Sequence, residues 1–178
     1  MSAVVDALLA RTGLAPVDAA RAAGDLERVR SFEALLREVD LLALGALADR
    51  VRARECGDEV RLYADRSAPG GDRVYTPPAG LAGMALLRDV AIARITRPRG
   101  THVRLDWNQV GLEISQVALG FGADELVGRL RAPKTKKGLP LANGQQLRRD
   151  ELAALVGHTQ RKAVFVDVEE RNDEHVAG

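Results

Sequence analysis

With one cysteine, Cys56, among 178 residues, the chain cannot close a disulfide within itself. Nor can it hold a cysteine-ligated iron–sulfur cluster, which takes about three or four thiolates. Aromatic residues make up only 3% of the chain, so a core must come from Leu, Val and Ala, as in helices packed on a parallel sheet. Neither sign of charge dominates: a formal net charge of +1 with 29% charged residues excludes a global attraction to nucleic acid or membrane surfaces. No run approaches the ~20 apolar residues of a membrane span. Met1–Leu9 also lacks the basic start and apolar centre of a secretory signal. The expectation is a cytoplasmic protein of one domain, since a domain takes about 100–200 residues.

Motifs of common catalysis are also missing. There is no GxSxG elbow and no CxxC pair. His102, His158 and His175 show no metal-ligand spacing, and His102, opening a strand, reads as structural. Gly120-Phe121-Gly122 does not open a helix after a strand, so it is not a phosphate loop. Cys56, ahead of Gly57 at a helix end, reads as a structural thiol.

What is present is an alternation of helical and strand-like segments. Ser2 can cap a helix to residue 10, Pro16 suits the first turn of a second, and Ser31 can cap a third. Residues 41–54 place Leu44, Leu47, Ala48 and Val51 on one face. Residues 60–64 read as a strand, and 67–80, with prolines and glycines, as a loop. Met84, Leu87, Ala91 and Ile95 give the next helix an apolar face; residues 102–106 form a strand. The spacing of Val110, Ile114, Val117, Ala118 and Phe121 predicts one helix over 109–121. Strands at 126–130 and 162–168, a helix at 150–156 and an exposed polar loop at 131–146 complete the pattern. Four mostly parallel strands with intervening helices predict an α/β fold: residues 1–56 a helical extension, 57–168 a partial parallel sheet with its helices, 169–178 a charged tail.

An ordered set of motifs runs through these elements. Gly57-Asp58-Glu59-Val60 leads into the first strand. His102-Val103, Trp107 and Gly111-Leu112 follow, then Ala118-Leu119-Gly120-Phe121-Gly122-Ala123-Asp124-Glu125 and Gly128-Arg129. Gln160-Arg161 precedes Phe165. In this order the chain resembles the radical S-adenosylmethionine family of aminofutalosine synthase, dehypoxanthine futalosine cyclase and deazaflavin synthase subunits. The resemblance makes residues 57–168 a partial, truncated (β/α) barrel and implies a relation to menaquinone (futalosine) enzymes. It departs at the decisive place: where the family has a CxxxCxxC cluster loop, this chain has Asp65-Arg66-Ser67-Ala68-Pro69-Gly70-Gly71, and most of a barrel is missing before residue 86. Cleaving the sulfonium requires an electron from a low-potential cluster, so the cluster and the use of S-adenosylmethionine are expected to be lost.

Two function classes follow. The first is a non-catalytic accessory or interaction subunit, pairing with itself or with a full-length radical enzyme, because an open parallel sheet leaves edges to be covered. The second is a module for a small nucleoside-like ligand, or an enzyme with a cluster-independent activity. Its candidate residues are Asp106, Trp107, Asn108, Gln109, Asp124 and Glu125, which the resemblance places toward the substrate. The plainer alternative makes Asp106 or Asn108 a helix cap, Trp107 a packing residue, and Asp124 and Glu125 solvated carboxylates. The basic stretch Arg129, Arg131, Lys134, Lys136 and Lys137 reads as a solvated loop rather than a nucleic-acid site, as no aromatics interleave.

Overall fold

A computed structural model describes residues 3–63, 68, 70–130 and 148–166. The chain builds an α/β fold on a five-stranded, all-parallel sheet, one strand more than the sequence predicts. The strands are β1 (Glu59–Tyr63), β2 (Val74–Tyr75), β3 (His102–Asp106), β4 (Glu125–Val127) and β5 (Lys162–Phe165), in the order β2-β3-β4-β1-β5. The extra strand is β2, two residues inside the segment expected to be a loop; so short a piece carries no periodicity. β2, β3 and β4 lie side by side in chain order, and β4 pairs in turn with β1. β5 takes β1's other side, so the sheet is an open arc rather than a closed barrel.

Five helices precede β1: α1 (Ala3–Arg11), α2 (Ala15–Ala23), α3 (Leu26–Arg30), α4 (Glu33–Glu38) and α5 (Leu41–Cys56). The carboxylates of Asp25 and Asp40 cap α3 and α5 by accepting from the Arg28 and Ala43 amides. Ser31 is not the cap expected of it. It follows α3, its hydroxyl donates to the Arg28 carbonyl, and Phe32 stands at the start of α4. Pro16 lies in the first turn of α2 as expected, and Ser2 lies outside the described residues. Arginines tie these helices together: Arg21 forks onto Glu55 at 2.7 and 2.8 Å, and Arg50 bridges Asp6 and Asp18.

After β1 come α6 (Gly83–Thr96), α7 (Trp107–Val110), α8 (Leu112–Leu119) and α9 (Arg149–Gly157). The helix expected over 109–121 is two, broken at Gly111, whose φ of +92° lies in the left-handed region that glycine tolerates. Val117, expected on the apolar face, is exposed. Met84 is likewise 75% exposed, and Leu86, Val90 and Arg94 are among the residues α6 buries. Among the described residues no helix is long and apolar enough to cross a membrane.

The strands alternate strictly, and this positions the site. Val60, Leu62, Val103, Leu105, Leu126, Ala163 and Phe165 point into one apolar cluster with α5, α6, α8 and α9. Residues of the other parity share the opposite face: Arg61 and Tyr63 on β1, His102, Arg104 and Asp106 on β3, Glu125 and Val127 on β4. Purely parallel sheets usually carry near-continuous apolar runs covered on both faces. Here one face is charged.

Candidate functional site

The register sets Arg61, Glu125 and Arg104 side by side across β1, β4 and β3. Glu125 is fully buried; one of its carboxylate oxygens accepts from Arg104 Nε at 2.9 Å and Nη2 at 2.7 Å. The other, Oε1, has no hydrogen-bond partner and lies 3.5 Å from Arg61 Nη1. Arg61 is the open member of the row, its side chain 48% exposed. The Arg104 guanidinium also covers the Tyr63 ring at 4.9 Å.

One residue earlier in the chain, Asp124 enters the same network from the amino end of the sheet. Its carboxylate accepts from the Val103 amide at 2.7 Å, from His102 Nδ1 at 2.6 Å and from Arg94 Nη2. Arg94 reaches across from α6, fully buried, and also donates to the Gly122 and Thr101 carbonyls and to Cys56 Sγ at 3.3 Å. His102 Nε2 faces Arg61 Nη1 at 3.2 Å. The guanidinium can only donate, so Nε2 accepts and Nδ1 carries the proton given to Asp124.

Burial alone would raise the Asp124 pKa. The His102 hydrogen bond, the Arg94 charge and the Val103 amide outweigh it and hold the carboxyl below its ordinary 3.8. A depressed carboxylate pKa contributes stability that is present above the unfolded value and is lost as pH falls through the folded one. Asp124→Asn is therefore expected to flatten the loss of stability below pH 4, measured as the midpoint of urea unfolding between pH 2 and 6. An unchanged acid limb would contradict this.

Cys56, His102 and Asp124 bring one ligand atom each to within 4.8 Å of one another, a donor set of the kind zinc takes. Arg94 stands between two of them, donating to both Cys56 and Asp124. A cation at that point would meet a guanidinium, so the trio as arranged does not fit one. Burial and the nearby Asp124 charge push the Cys56 thiol up to about 11. It is expected to react with iodoacetamide at pH 8 more than tenfold slower than free cysteine, followed by mass spectrometry.

The six residues singled out from sequence are spread along the sheet. Asp106, Trp107, Asn108 and Gln109 stand at its carboxyl edge. There Asp106 caps α7 by accepting from the Asn108 amide at 2.9 Å and also accepts from Gln109 Nε2 at 2.9 Å. The Asn108 carbonyl oxygen accepts from the Arg129 amide at 2.7 Å. Trp107 is buried in the core cluster, and its indole N–H has no partner. Glu125 lies opposite Arg104, two residues from Asp106 along β3, and Asp124 one step nearer the amino end, roughly 10 Å from Asp106. Asp106 and Glu125 thus share one face of the sheet, while Asp124 is held by His102 and Arg94 nearer the amino end. Asp124 and Glu125 are not the solvated carboxylates of the plainer reading, as both are buried in ion pairs. Residues 131–147, which hold most of the basic stretch, lie outside the described residues.

Sequence reasoning missed Arg61, Arg94 and Arg104. The signal was available in Val60-Arg61-Leu62 and Val103-Arg104-Leu105, where one arginine interrupts each strand with period two. Compared with known proteins, the chain matches no family model and no curated protein.

Proposed function

We propose that these 178 residues form a non-catalytic relative of the futalosine-type radical enzymes, acting as an accessory or interaction subunit. The observation that carries this reading is the charged sheet face, whose groups are mostly closed on one another. Arg94 and His102 are spent on Asp124, Arg104 on Glu125, and Asp106 on α7. Buried polar groups satisfied by one another in this way fit a structural role. Here they hold elements together. Among the described residues, β2 and β5 are each paired on one side only, which supports a protein partner, a second copy or a full-length radical enzyme. The order of motifs from Gly57 to Phe165 supports the barrel ancestry, and the lone cysteine supports the loss of radical chemistry. Light scattering of the chain alone and mixed with a full-length family enzyme tests the subunit role: a dimer or a stoichiometric complex is expected. A monomer that binds neither would sink it.

One observation favours a second reading, a small-ligand module at the carboxyl edge. The unpartnered indole N–H of Trp107 sits beside Asn108 and Gln109, at the edge where α/β folds bind ligands. In that case Asn108→Ala weakens binding of a nucleoside such as adenosine without unfolding the chain. Thermal shift with a nucleoside panel checks it, and a flat response retires it.

A further inference from the structure

A second pair of buried arginines lies at the amino end of the sheet, outside the network above. Arg52 comes from α5 and Arg161 from the residue before β5, and their side chains are only 4% and 6% exposed. Both converge on the same oxygen of Asp49: Arg52 Nε donates to Oδ1 at 2.9 Å, and Arg161 Nη2 donates to it as well. Arg52 also donates to the Gly57 carbonyl, and Asp58 stands 3.9 Å from its Nη2 on the exposed side. Two guanidiniums thus share one carboxylate oxygen, and Arg161 Nη1 is buried with no partner at all. An unmet buried charged donor costs more than a neutral one. The backbone adds to this cost, because Gln160 holds φ at +59°, in the left-handed region unusual for a side-chain-bearing residue.

We infer that Arg52 and Arg161 form a binding site for an oxyanion, a phosphoryl or carboxylate group, with Asp49 occupying part of it as an internal stand-in. The unmet Nη1 supplies the free donor, and Arg161 Nη2 and Arg52 Nε, both now on Asp49, are the donors an incoming oxyanion would share. Burial and the neighbouring Arg52 charge also press the Arg161 guanidinium below its ordinary pKa, a load that a bound anion would relieve. The site lies at the opposite end of the sheet from the Trp107 edge, so it does not depend on either reading of function above.

The test uses thermal unfolding of the full chain at constant ionic strength, with phosphate, acetate or chloride as the varied anion. Phosphate or acetate is expected to raise Tm by about 4 °C over chloride at ten times its Kd, and the better of the two identifies the group. Arg161→Gln is expected to abolish the rise. Should that variant not fold, Asp49→Asn decides: with the internal carboxylate neutralised, phosphate is expected to bind at least tenfold more tightly by calorimetry. If neither the unaltered chain nor Asp49→Asn distinguishes phosphate or acetate from chloride, the inference is overturned. It is equally overturned if the Tm rise survives intact in a folded Arg161→Gln.

Discussion

Replacing Arg94 with alanine is expected to cost about 3–5 kcal/mol of unfolding free energy, the loss seen when one partner of a buried ion pair is removed. Arg94 is buried and reaches Asp124, Cys56 and the carbonyls of Thr101 and Gly122, so it joins α6 to α5 and to the entrances of β3 and β4. Its removal leaves the Asp124 carboxylate buried with His102 and one amide, and leaves two carbonyls unmet. For a chain of this length the Tm is expected to fall by about 10 °C or more. Arg94→Met combined with Asp124→Asn should recover part of the loss, since the uncompensated charge rather than the missing pair carries most of the cost. Chemical denaturation of the three variants measures this. A loss below about 1 kcal/mol for Arg94→Ala would mean that the network is not buried as described.

The second large effect is expected at Gly128, just after β4. A β-carbon there would lie 2.7 Å from the Trp107 indole nitrogen and closer still to the ring carbons, because the indole lies flat on the glycine backbone. Trp107 is buried and large, so it cannot swing aside without opening the core. Gly128→Ala is expected to destabilise by about 3 kcal/mol, at the upper end for overpacking. It should also shift the tryptophan emission, which has a single source in this chain. Gly24→Ala is the contrast: nothing lies within 4 Å of its β-carbon, so only its left-handed backbone, with φ of +81°, opposes the change. That substitution should cost only about 1 kcal/mol. Equal losses at the two glycines would contradict the stacked geometry.

These expectations show where the sequence was legible. Apolar alternation in Val60-Arg61-Leu62 and Val103-Arg104-Leu105, and the helical spacing of Leu44, Leu47, Ala48 and Val51, announce β1, β3 and α5 directly. The α/β class and the parallel sheet follow from that order of elements. Boundaries set by local backbone geometry were harder to read. Gly111 cuts a continuous apolar pattern because its positive φ ends α7 and starts α8, which a residue count alone does not reveal. The site was the least legible part. Asp124 and Glu125 were noticed as carboxylates near a strand entrance, but their partners come from β1, β3 and α6, 21 to 64 residues away in the chain. Without partners in view they read as solvated. Arg94 shows the same difficulty from the other side, since an arginine on the buried face of α6 is expected to snorkel outward unless a buried carboxylate meets it.

The proposed reading is that these residues keep the frame of a radical enzyme without its electron source. Anaerobic reconstitution of the purified chain with iron and sulfide, followed by iron analysis and an assay for reductive cleavage of S-adenosylmethionine, tests it most directly. The account predicts substoichiometric iron and no cleavage above a protein-free control. One cluster per chain together with measurable turnover would contradict it.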